Sequence, residues 1–183
     1  QRDGLPARNC FFTVLRQAMA GDTQYPAGLY FGTNSGSVFA SRDGSAAASF
    51  NAAYVAKSLL GITSNAGVCT LTGPWVAISN MASELPATAV STSTSGSWTN
   101  KRGNNGFNDV MCYYHIDQNQ RYLQSLGYVG AAGIQAGPIP VDSDGVDGDD
   151  NSHYVPSLNY LAFGHGGVDD DEDADVILHE YGH

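Results

Sequence analysis

The chain ends on His179-Glu180-Tyr181-Gly182-His183, and these two histidines are the only pair in the sequence four positions apart. On a helix, side chains at i and i+4 project from one face, one turn above the other. Two imidazoles so placed can bind a single zinc ion through their ring nitrogens. Glu180 follows the first histidine, where its carboxylate could take a proton from a water that the metal activates. A helix is expected here at about 171–183. Val176, Ile177 and Leu178 would give it a buried side, and Asp169 to Asp173 would load its start with the negative charge that a helix N-terminus favours. A bare pattern of this kind also arises by chance, and two surface histidines are the bland alternative.

A second constellation lies upstream. Asp142, Asp144, Asp147, Asp149 and Asp150 alternate with Gly145 and Gly148. Closely spaced carboxylates on a turn-rich segment suit a hard cation such as calcium, with Asp142, Asp144 and Asp147 as candidate ligands. The spacing is not that of an EF-hand, and a solvated acidic loop is the competing reading. After Arg121 there is no Lys or Arg at all, so these carboxylates repel one another unless cations hold them.

The elements that must position these groups are partly legible. From Phe107 to Leu126, apolar residues recur mostly at steps of three or four, with Asn105 placed to cap the start and Gly127 to end it. A long helix is therefore expected at about 105–126. The chain before it reads as strands and turns. Gly28–Gly32 and Ser37–Ala40 flank a hairpin signal, and Val68–Leu71 and Trp75–Ile78 are short strands around Thr72-Gly73-Pro74. Ala46–Leu60 is ambiguous between helix and strand, and Ala87–Ser97 suits an exposed strand or mobile loop. The expected class is α+β: a β-rich N-terminal lobe with a mainly antiparallel sheet over residues 1–106, then a helical and acidic part over 107–183.

Composition narrows the function. The 183 residues have the length of one domain, or one domain with an extra lobe. They are 42% hydrophobic, which supports a core, and 14% charged, with net charge −10. That balance argues against nucleic acid and anionic membrane surfaces as partners, and no apolar run is long enough to span a bilayer. Gln1-Arg2-Asp3-Gly4 does not open like a signal peptide. Ten tyrosines, two lysines and abundant Gly, Ser and Thr give the chain an extracellular character. Its three cysteines are expected as one bridge, Cys10–Cys69, and one buried thiol, Cys112.

The resemblance extends beyond the terminal motif. Phe107–Asp117 with Gln120–Gly127, then Asp150-Asn151-Ser152, Asn159–Gly164 and Gly167-Val168-Asp169, resemble the segments leading into the zinc helix of secreted thermolysin-like and fungalysin-like metallopeptidases. It is strong over 107–183 and weak over 1–106. It implies His179 and His183 as zinc ligands and Glu180 as general base. Asn151 would hydrogen-bond the substrate backbone, with Ser152 beside it on the edge strand, and Asp175 would match an acidic position that helps bind calcium. It further implies a third zinc ligand and a helical domain beyond residue 183, so that the 183 residues alone are expected to be inactive. The leading expectation is the N-terminal portion of a secreted zinc endopeptidase acting on peptides or proteins. The alternative is a non-catalytic, peptidase-like assembly subunit whose partner is a missing domain or a neighbouring subunit. A calcium-dependent adhesion module is the third.

Overall fold

A tight turn comes first among the described elements. Ala66 (φ 49°) and Gly67 (φ 81°) both adopt the left-handed conformation, as a two-residue loop of I′ type requires. Around it β1 (Thr63–Asn65) and β2 (Val68–Thr70) pair antiparallel, with Asn65 opposite Val68. In the computed structural model, residues 56–166 and 169–183 are described; the expected hairpin around residues 33–36, Cys10 and most of the ambiguous Ala46–Leu60 stretch lie outside them. β4 (Thr92–Ser93) adds to the other edge of β2, inside the Ser/Thr-rich stretch.

The second sheet carries the site. Its strands run in the order β3 (Val76–Ile78), β5 (Ile139–Asp142), β7 (Tyr160–Phe163), β6 (Ser152–Val155). β3, β5 and β7 are parallel, and β6 lies antiparallel to β7 at the edge. The β1, β2 and β4 sheet, inside residues 1–106, is antiparallel, whereas this one, built mostly from later residues, is mixed. The chain returns from β3 to β5 through α1 (Asn105–Ser125), and a helical crossover brings a strand back in the same direction. The class is α+β, as expected.

α1 matches its expected span but not its expected face. Its cap is Asn104, whose side chain accepts from the Gly106 amide at 3.0 Å, one residue earlier than expected. Asn105 instead donates to Asp144 at 2.8 Å. Phe107, Met111, Cys112, Tyr113 and Ile116 join the core with Leu71, Val76, Ile78, Val141, Leu161 and Phe163. Asn108, Asp117 and Gln120 are buried too, whereas Tyr122 and Leu126 are exposed. Tyr113 is fully buried, with its hydroxyl on the Leu60 carbonyl at 2.7 Å, and burial pushes that phenol up to about 12. Cys112 is a buried free thiol, as expected; Cys69 is also free.

Candidate functional site

α2 (Ala174–Gly182) presents the terminal motif. It starts later than expected, because Asp170–Glu172 forms a separate single 3-10 turn and Asp173 caps α2 by accepting from the Asp175 amide at 2.8 Å. Of the acidic run, Asp173 alone caps α2, and the residues before it lie outside the helix. Asp169, Asp171, Glu172 and Asp173 turn inward and are buried. Asp169 accepts from Asn108 at 3.0 Å. Glu172 accepts from the Gly103 amide at 2.8 Å and meets the Arg102 guanidinium at 2.5 Å. Burial pushes the Glu172 carboxyl up to about 7, against the pull of Arg102.

Ile177 docks α2 into the core, and the opposite face carries the motif. The Nε2 atoms of His179 and His183 stand 3.2 Å apart, with their rings nearly perpendicular. Two Zn–N bonds of about 2.0–2.1 Å meeting at a tetrahedral angle put their nitrogens roughly 3.3 Å apart. The donor set thus fits zinc in both type and spacing. Glu180 is buried, with a carboxylate oxygen 4.0 Å from His179 Nε2. Among the described residues, these three form the one group of His, Cys, Asp or Glu side chains whose ligand atoms all lie within 4.8 Å of one another.

Glu180 and His183 face a cleft of about 350 Å³ whose other wall is β6, with Ser152, His153, Tyr154 and Pro156. β6 pairs only with β7, so its outer edge is open among the described strands. Asn151, exposed, immediately precedes it, and its carbonyl accepts from the Gly164 amide at 3.0 Å. Ser152 donates its hydroxyl to Asp170 at 2.7 Å, tying the edge strand to the turn before α2. Burial raises the Asp170 carboxyl to about 6; the Ser152 bond opposes this, and the charges of Asp150, Asp173 and Glu180 add to it.

Of the expected calcium residues, Asp142 and Asp144 lie side by side. Asp142 ends β5 in the interior and accepts from the Met81 amide at 2.7 Å and the Asp144 amide at 3.1 Å. Asp144 is buried and engaged by Thr88 at 2.6 Å, Asn105 at 2.8 Å and His165 at 2.5 Å. Asp147 is exposed on a positive-φ turn, and Asp175 is exposed in the first turn of α2.

Several groups at the site had no sequence signal. His153 enters the cleft from the edge strand and contacts Glu84 at 3.0 Å, and Glu84 also accepts from the Tyr160 hydroxyl at 2.6 Å. Despite its desolvation, these bonds hold the Glu84 carboxyl below its usual range. Tyr181, between the two motif histidines, contacts Gln120 and Gln135. No helix among the described residues is long and apolar enough to cross a membrane. No protein-family model, no curated protein and no solved structure matches this chain.

Proposed function

We propose that this chain is the zinc-binding N-terminal portion of a secreted endopeptidase. The observation that carries the reading is the pair of imidazole nitrogens 3.2 Å apart, with Glu180 beside them, facing an open strand edge. His179 and His183 would hold the ion through Nε2. Bound zinc would polarise the scissile carbonyl and lower the pKa of the attacking water. Glu180 would take the proton from that water and pass it to the leaving amine. The free edge of β6 offers backbone N–H and C=O groups to an extended peptide, which would lie beside it as an added strand. Asn151, exposed just before that edge, would bind the peptide's main chain. A catalytic zinc usually takes three protein ligands, and this reading assigns the third to sequence that follows His183.

The reading separates binding from chemistry in one substitution. Glu180→Gln is expected to leave zinc binding within a few-fold of wild type. In a form that carries the third ligand, it is expected to lower hydrolysis of an unstructured protein by roughly 10²–10⁴-fold, the usual worth of a general base. Hydrolysis at the wild-type rate in the Glu180→Gln variant would end the proposal for Glu180.

One observation favours the assembly reading as a second function. Tyr122, Leu126, Tyr128, Val129 and Ile134 are all exposed along α1's last turns and the loop that follows, and clustered exposed apolar side chains mark contact surfaces. Sedimentation at increasing concentration tests it: a protein that stays monomeric throughout contradicts self-assembly.

A further inference from the structure

The proposed metal site stands on one face of α2, and the opposite face carries a clamp. Tyr181 follows His179 by two residues and precedes His183 by two, so its side chain leaves the helix about 160° from each imidazole. There its hydroxyl reaches the Gln120 amide, 2.6 Å away on α1, and the Gln135 amide on the segment before β5. Gln135 spends its NH2 on two backbone carbonyls, that of Trp75 at 2.6 Å and that of Gly137. Only its oxygen is left for Tyr181, so the single hydroxyl proton goes there. Gln120 is fully buried, and its amide nitrogen lacks a partner in the orientation that offers its oxygen to Tyr181. Turning the amide over gives Tyr181 a donor and leaves the amide oxygen, rather than the nitrogen, at the position without a partner. The hydroxyl is then held between one donor and one acceptor, Gln120 buried on α1 and Gln135 fixed to two backbone carbonyls.

The motif end of the helix has little else to fix it. A Cβ at Gly182 would meet nothing within 4 Å, and the His183 amide reaches the Glu180 carbonyl at 3.3 Å. His183 would swing with the last turn if Tyr181 let go.

We infer that Tyr181 is a positioning residue: its hydroxyl, clamped by Gln120 and Gln135, holds the last turn of α2 in place, so that His183 stays one turn beyond His179 with its nitrogen at metal-binding distance. This inference rests on the zinc reading for its consequence, although the clamp itself does not need a metal.

The test is Tyr181→Phe, which keeps the ring packing and removes only the hydroxyl, studied alongside Gln120→Met, which keeps the volume and removes the amide. In the metal-free protein, amide hydrogen exchange at Leu178–Gly182 is expected to accelerate about ten-fold in Tyr181→Phe, with α1 exchange unchanged. With Co²⁺ as the probe, zinc-displaceable binding is expected to weaken by about ten-fold or more, as with loss of other outer-shell supports. The visible d–d bands should change shape, which simple loss of stability would not produce. Gln120→Met is expected to move the same readouts in the same direction, by less. Unchanged exchange together with an unchanged cobalt spectrum and affinity would overturn the clamp. Wild-type protein that takes up no cobalt would overturn the zinc reading and not the clamp, which the exchange measurement then decides alone: acceleration upholds it and unchanged exchange refutes it.

Discussion

Arg102→Met is expected to destabilise the protein by about 3–5 kcal/mol at pH 7.5, the usual cost of stripping one partner from a buried ion pair. Arg102 and Glu172 have side chains 3% and 1% exposed and meet at 2.5 Å. Met keeps most of the volume of the arginine stem but leaves a carboxylate in the interior with only the Gly103 amide to bind. The loss should shrink at pH 5, because the Glu172 carboxyl, raised by burial to about 7, is then mostly neutral in the folded state. The same shift predicts the pH dependence of the wild type. Glu172 rises from 4.5 to about 7 on folding, and Asp170 from 3.8 to about 6. Between each group's unfolded and folded values the native state binds more protons than the unfolded chain, so stability falls as pH rises through that window. Metal-free wild-type protein should therefore melt at a higher temperature at pH 5 than at pH 7.5. Urea and thermal unfolding of both proteins at the two pH values measure all of this. An Arg102→Met loss that is equal at both pH values would show that Glu172 is not the group left stranded.

Gly164→Ala is expected to cost about 3 kcal/mol, near the upper end for overpacking. A Cβ there would sit 2.6 Å from the Asn151 carbonyl oxygen and closer still to that of Asp149. Both are backbone atoms, so no rotamer change relieves the clash. The same contact carries the hydrogen bond from the Gly164 amide to the Asn151 carbonyl. Stability and site should suffer together, because the displaced segment is the lead-in to β6. Denaturation midpoints with an unchanged m-value would register the stability loss. Wild-type stability in this variant would mean that the 149–151 segment yields freely.

These two residues show where sequence reading succeeds and where it stops. The four-residue spacing of His179 and His183 is a local property of a helix, and so is the recurrence of apolar residues from Phe107; both survive in the structure. The acidic run at Asp169–Asp173 reads as a helix start in sequence because its partners are remote. Arg102, Gly103 and Asn108 lie more than 60 residues away in sequence and draw those carboxylates inward. The donors to Asp142 and Asp144 are hidden in the same way, since nothing near them in sequence reveals Met81, Thr88 or Asn105. Strand order is equally hidden. β3 lies before the boundary expected at residue 106, yet it pairs with β5, and only that order leaves β6 at the edge beside Glu180. Tyr181 looks like filler between two histidines because its partners belong to α1 and to the segment before β5.

Native mass spectrometry of the metal-free protein titrated with zinc tests the central claim most directly. The account predicts one zinc ion per wild-type chain, retained in Glu180→Gln. In His179→Ala and in His183→Ala, affinity should fall by more than the roughly 10–100-fold that loss of an outer-shell partner costs. Wild-type protein that binds no zinc, or zinc that persists when both histidines are replaced, would contradict it.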